Sequence, residues 1–257
     1  MNARPEITAV ILAGGQGARI RHLLPECPKP MAPVLSRPFI EWVVRFLAQQ
    51  GVNRIIISTG YKAEMIAAHF EAVTIGGAVV TCVREHEPLG TAGGFLEVRA
   101  HAPKSEIWLV CNGDSLILTS LAPLFDSLQG NDVSGALLGV PVSDASRYGT
   151  LENDGTGILT RFAEKRPGQG MINAGVYLLR DALCTTFSND RPLGFETGVF
   201  PELLASGTRL RVVPASGSFL DIGTPETLTQ AENFISENLT FFHPPERASS
   251  SPVAILA

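Results

Sequence analysis

The chain has 257 residues, of which 18% are charged and 45% hydrophobic, with a formal net charge of −5. That size and balance fit one large packed α/β domain rather than a disordered chain, and the absence of a basic stripe argues against nucleic acid as a partner. No apolar run approaches the ~20 residues of a membrane span.

The four cysteines, Cys27, Cys82, Cys111 and Cys184, form no Cys-x-x-Cys pair, and the five histidines show no metal spacing. Neither zinc ligation nor a disulfide framework is supported. Met1-Asn-Ala-Arg-Pro-Glu6 carries no signal-peptide pattern. A cytoplasmic address is therefore the expectation.

Strand-like and helical patterns alternate through the first half. The apolar run Ile7–Ala13 reads as a strand. It ends in Gly14-Gly15-Gln16-Gly17-Ala18-Arg19, and Pro28-Lys29-Pro30 follows. Pro25, Pro28, Pro30 and Pro33 predict an extended loop until about Pro38. A helix is expected over 38–50, with Pro38 in its first turn and Gly51 past its end. A strand over 54–59, a helix to about Glu71, a strand over 79–83, a helix over 92–100 and a buried strand over 107–111 follow. This alternation predicts a right-handed parallel sheet.

After Asp132 the pattern changes to strands at 133–142, 148–152, 158–162 and 172–179. Asn153-Asp154-Gly155 is a hairpin signal between the second and third of them. A partly antiparallel second half is expected. A helix at about 197–206 and strands at 209–214 and 218–222 follow. Thr224-Pro225-Glu226 then opens a helix expected to run to about Leu239.

The glycines let the backbone approach a bulky anion, and Arg19 and Lys29 can clasp what the loop amides cradle. Arg21 is an alternative to Arg19. The spacing suits neither a P-loop, which needs Gly-Lys-Ser/Thr, nor a dinucleotide fingerprint, which needs a glycine where Ile20 stands. Asn112-Gly113-Asp114 places a carboxylate directly after a buried strand. Asp221, within Phe219-Leu-Asp-Ile-Gly223, is costly in apolar surroundings unless it is paired or metal-bound. Together the two carboxylates suit Mg²⁺. Leu89-Gly90-Thr91-Ala92-Gly93 opens a helix whose free amides make a ligand site. Asn173-Ala174-Gly175 interrupts an apolar strand, which suggests either a close ligand or a bulge.

With these motifs the sequence resembles the sugar-1-phosphate nucleotidylyltransferases over residues 7 to about 238. Within that group it is most similar to the D-glycero-α-D-manno-heptose 1-phosphate guanylyltransferases. The closer likeness is carried by Pro28–Val34, Pro88–Gly94, Asn112–Asp114, Arg147–Gly149, Ile172–Tyr177 and Phe219–Gly223.

The resemblance implies a Rossmann-like three-layer α/β sandwich with a mixed central sheet. Residues 1–240 would form one nucleotidyltransferase domain, with a nucleotide half to about 130 and a sugar half from 131, and 241–257 a flexible tail. It implies Mg²⁺ on Asp114 and Asp221, and catalytic charge from Arg19, Lys29, Asp114 and Lys165. Nucleotide contacts are expected at Leu12, Ala13, Gly14, Gly15, Gly17, Gly90, Thr91 and Asn112. Sugar-phosphate contacts are expected at Tyr148, Gly149, Glu164, Lys165, Asn173 and Glu196.

The expected partners are a nucleoside triphosphate, preferably GTP, and a sugar 1-phosphate, with no nucleic acid and no membrane; homo-oligomerisation stays open. Uridylyl transfer to an N-acetylamino-sugar 1-phosphate is an alternative. So is a noncatalytic sugar-nucleotide-binding regulatory subunit, although such a protein could dispense with Lys29, Asp114 or Asp221.

Overall fold

The computed structural model describes residues 6–71, 73–163 and 167–242. The first half contains β1 (Ile7–Ala13), the short pair β2 (Pro33–Val34) and β3 (Arg37–Pro38), α1 (Phe39–Gln49) and β4 (Arg54–Thr59). It continues with α2 (Ala63–Phe70), β5 (Thr74–Ile75), β6 (Ala78–Arg84), α3 (Thr91–His101), β7 (Ile107–Asn112), β8 (Ser115–Leu118) and α4 (Ala122–Asp126). The second half contains β9 (Gly135–Val142), β10 (Thr150–Asn153), β11 (Leu159–Ala163), β12 (Gly170–Arg180), α5 (Asp181–Cys184) and α6 (Phe200–Ala205). It closes with β13 (Leu210–Pro214), β14 (Ser218–Asp221), α7 (Pro225–Thr229) and α8 (Ala231–Glu237).

One sheet crosses both halves in the order β11-β10-β12-β7-β1-β4-β6-β5, with β9 on the other edge of β12 and β13 beside β9. Strands β7, β1, β4 and β6 are parallel. β12 runs antiparallel to β7, β9 and β10, and β11 antiparallel to β10, as the hairpin signal predicted.

Side-chain alternation makes three layers. Ala9, Ile11, Ile55, Ile57 and Leu109 pack into one core with Phe39, Val43 and Leu47 of α1. Val10, Ile56, Trp108 and Val110 face the opposite core with Phe95 and Val98 of α3. Because helices cover both faces, the central strands read as unbroken apolar runs rather than as alternating ones. The expected Rossmann-like sandwich with a mixed sheet is what forms.

Four local expectations need correction. The proline-rich segment is not extended throughout: 3₁₀ turns form at Arg21–Leu23 and Lys29–Met31, the latter closed by Met31 N donating to Pro28 O at 2.8 Å. Pro38 caps α1 from outside rather than occupying its first turn. The helix at 197–206 divides into a π turn at Phe195–Val199 and α6.

The helix opened by Thr224 also divides, at Gln230, into α7 and α8. Its start is as predicted, a reciprocal capping box between Thr224 and Thr227 with Pro225 in the first turn. The hydroxyls of Thr227 and Thr229 then donate to the carbonyls of Thr224 and Glu226 and compete with the helical ladder. The expected tail lies beyond 242, outside the described residues, apart from 241–242; Phe242 packs edge-on against Trp42. Among the described residues no helix is long and apolar enough to cross a membrane.

Candidate active site

The carboxyl ends of β1 and β7 open into a cleft of ≈490 Å³. Leu12, Ala13, Gly14, Gly15, Gly17, Arg19, Lys29, Gly90, Thr91, Asn112, Asp114 and Glu196 all line it. This is the crevice at which open α/β sheets bind ligands. Gly17 has φ +59°, and a Cβ there would lie 2.9 Å from the Cβ of Lys29. Only glycine lets the loop fold over that lysine.

Lys29 is 8% exposed, and its Nζ lies 2.7 Å from Asp114 Oδ2. Its short turn between two prolines holds the ammonium in the cleft wall. A Cβ placed on Gly223 would sit 3.0 Å from Arg19 Nη2 and 3.2 Å from Lys29 Nζ, and in contact with Asp221 Oδ1. Arg19, Lys29 and Asp221 therefore converge at one point. Arg21 does not join them: its guanidinium lies 4.8 Å from the Tyr61 ring centroid and donates to the Tyr61 hydroxyl.

Asp114 and Asp221 are brought together by a feature the sequence reading lacked. β8 follows Asp114 immediately and pairs antiparallel with β14, setting Ser115 opposite Asp221, and Ile222 N donates to Asp114 O at 3.0 Å. Burial, then the neighbouring Asp114 charge, push the Asp221 carboxyl above its ordinary range, against the opposing pull of Lys29. Two mutually repelling carboxylates form an electrostatic sink for a cation. Among the described residues no group of three or more His, Cys, Asp or Glu is placed to hold a metal. A hard cation held by one or two carboxylates and substrate phosphates needs no such group, so this donor set fits Mg²⁺.

Among the residues expected to meet the sugar, Asn173 Nδ2 donates to Tyr177 Oη at 2.7 Å and to Glu196 Oε1 at 3.1 Å. Tyr177 is fully buried, and desolvation, then the Glu196 charge, hold its hydroxyl protonated well above the ordinary range. The interruption at Asn173 is a register shift between Asn173 and Tyr177 on the β9 side. Gly175 there has φ +70°, and a Cβ would strike the Asn112 side-chain amide. The bulge thus aims Asn173 and seats Asn112.

Tyr148 stacks edge-on against Phe219, and burial pushes its phenol upward, opposed by the Arg147 charge. Gly149 is held by packing: its O accepts from Asn173 N, and a Cβ would meet Phe162 at 2.8 Å. Glu164 and Lys165 lie outside the described residues.

One reading changes. The amides of Ala92 and Gly93 are not free for a ligand, because both donate to Leu193 O. The Thr91 hydroxyl accepts from Phe195 N at 3.0 Å. One charged lining group went unread. Glu85 follows β6, and its Oε1 accepts from Ser58 Oγ at 2.7 Å. Burial pushes its carboxyl upward. Its position after a strand end was the available signal.

Comparisons with known proteins identify the family. A D-glycero-alpha-D-manno-heptose 1-phosphate guanylyltransferase from Aneurinibacillus thermoaerophilus is 32% identical over 224 residues, 87% of this chain and 96% of the relative. A mannose-1-phosphate guanylyltransferase from Mycobacterium tuberculosis is 33% identical over 227 residues, 87% of this chain and 63% of the relative. Among solved structures, HddC from Yersinia pseudotuberculosis complexed with GMP-PN superposes with a TM-score of 0.77 at 31% identity, covering 89% of this chain and 99% of that one. The nucleotidyl transferase family matches residues 8–238. That span takes in both sides of the cleft, and the chain belongs to this family, as a sugar-1-phosphate nucleotidyltransferase.

Proposed function

We propose that the chain is a Mg²⁺-dependent guanylyltransferase that joins GTP to a sugar 1-phosphate, with D-glycero-α-D-manno-heptose 1-phosphate as the preferred acceptor. The observation that carries the reading is the convergence of Arg19, Lys29 and Asp221 around Gly223, with Asp114 bonded to Lys29. A cleft with that charge pattern suits a polyphosphate whose leaving group gains charge.

In this reaction an anionic sugar-phosphate oxygen attacks the α-phosphorus, and pyrophosphate departs in line. The nucleophile is already ionised, so no general base is needed, in keeping with a cleft lined by no histidine or cysteine among the described residues. The glycine loop orients the triphosphate, and Arg19 and Lys29 neutralise the departing pyrophosphate. Mg²⁺, when bound by Asp114 and Asp221, supplies further charge neutralisation and fixes phosphate orientation. Asn173 and Glu196 face sugar hydroxyls, and by the resemblance Lys165 meets the sugar phosphate.

Glu85 supports guanine. Guanine offers the N1–H and N2–H₂ donors side by side, which a carboxylate accepts, whereas uracil offers a single donor between two acceptors. Glu85→Gln is expected to lower kcat/KM for GTP about 10- to 100-fold and to narrow the GTP:UTP ratio, as the loss of a charged hydrogen-bond acceptor should. An unchanged ratio removes Glu85 from base recognition.

Pyrophosphate release measured with four nucleoside triphosphates against heptose, mannose, glucose and N-acetylglucosamine 1-phosphates tests the whole reading. GTP with the heptose phosphate should give the highest kcat/KM. Mannose 1-phosphate is the second reading, favoured by the Mycobacterium relative. A preference for UTP, or binding without turnover, overturns the assignment.

A further inference from the structure

The motif that opens α3 sits on the nucleotide side of the cleft, yet its bonds run to the other side. Leu193 N donates to Leu89 O at 2.8 Å, and Leu193 O accepts from Ala92 N at 2.9 Å and Gly93 N at 3.1 Å. Two positions on, Phe195 N donates to Thr91 Oγ1 at 3.0 Å. The segment 193–195 is thus pinned across the first turn of α3.

Phe195 is fully buried and begins the π turn, whose i→i−5 bonds run from Val199 N to Gly194 O and from Phe200 N to Phe195 O. Glu196 is the next residue. Its Oε1 accepts from Asn173 and from Tyr177, so the carboxylate is held from β12 on one side and by the turn on the other. π turns are rare and depend on local support.

We infer that Thr91 is a positioning residue for the sugar side of the site: its hydroxyl anchors the Phe195 amide and so fixes the turn that carries Glu196. The inference rests on the proposed role of Glu196 toward sugar hydroxyls. It assigns a residue of the nucleotide motif to acceptor binding, and it adds a side-chain hydrogen bond spanning 104 positions to the backbone bonds of Leu193 that join the two sides.

Thr91→Val keeps the side-chain volume and removes the acceptor, leaving a buried amide unpaired. Relative to wild type, it should raise KM for the sugar 1-phosphate about 5- to 30-fold. GTP binding, read by isothermal titration without acceptor, should stay within about twofold, because the backbone of the α3 turn is kept by Leu193. Thr91→Ser retains the acceptor and should restore the acceptor KM; Thr91→Ala replaces the valine variant should that one fail to fold. The acceptor is the sugar phosphate with the highest kcat/KM in the panel above.

Glu196→Gln, measured in parallel, separates the two layers of the claim. If it raises acceptor KM and Thr91→Val does not, the positioning role is wrong while the reading of Glu196 stands. If it leaves acceptor KM unchanged, the reading of Glu196 falls and the inference with it. Weakened GTP binding in Thr91→Val with an unchanged acceptor KM shows a direct nucleotide contact and overturns the proposal. The double variant should be no worse for acceptor KM than Glu196→Gln alone, since both act through one carboxylate; full additivity counts against it.

Discussion

Lys29→Met is expected to lower kcat about 10²- to 10³-fold while GTP affinity changes little, the range seen when one preorganised charge is removed from an active site. The charge on the leaving pyrophosphate develops mainly in the transition state, so a cation that meets it there controls kcat rather than ground-state binding. The structure adds a second expectation. Lys29 Nζ is bonded to Asp114 Oδ2, and its charge also opposes the upward shift of Asp221. The lysine therefore competes with a metal for the same two carboxylates. Removing it should tighten Mg²⁺ binding to the substrate-free protein even as turnover collapses. Single-turnover kinetics beside a Mg²⁺ titration read both effects. A variant with raised KM for GTP and normal kcat shows that Lys29 only binds substrate. Weaker Mg²⁺ binding shows that the Lys29–Asp114 pair instead organises the metal site.

Much of this arrangement was legible in the sequence because it is local. Strands β1 and β4 follow from unbroken apolar runs, and the glycine loop with Lys29 follows from spacing within twenty residues. Thr224-Pro225 announces its cap. What was not legible depends on contacts between distant segments. β8 directly follows a turn motif and has no pattern of its own beyond three apolar residues after Ser115; only pairing with β14 shows that it sets Asp114 beside Asp221. The amides at the start of α3 looked free because nothing in Leu89–Gly93 reveals that Leu193 will occupy them. Glu85 carries no motif of its own, and only the structure shows that the strand end it follows forms part of the cleft wall. The split at Gln230 was readable in principle, from two threonines, Thr227 and Thr229, competing for helix carbonyls within one turn.

Asp221→Asn should lose turnover by at least about 100-fold and yet make the substrate-free protein more stable. The loss follows from removing one of two carboxylates available to Mg²⁺. The gain follows from linkage. Because burial and Asp114 raise the Asp221 carboxyl, the folded protein holds this proton more tightly than the unfolded chain. Its contribution to stability is full below the ordinary carboxylate range and is lost as pH rises through the raised value. At neutral pH the ionised side chain therefore weighs against folding. Asparagine removes that charge and can still accept from Gly223 N through Oδ1. A gain on the order of 1 kcal/mol corresponds to about 2–4 °C in Tm for a chain of this size. The advantage should vanish when both proteins are melted below the ordinary carboxylate range, where wild-type Asp221 is protonated. Asp114→Asn should behave differently, because it takes the charged partner from buried Lys29; its stability should fall about 1–2 kcal/mol below that of Asp221→Asn. Added Mg²⁺ should raise the wild-type Tm more than that of either variant, by preferential binding to the folded state. Thermal melts across pH, with and without Mg²⁺, decide the matter. If Asp221→Asn melts below wild type at neutral pH without metal, the carboxylate is stabilised in the fold, and the repelling pair does not describe this site.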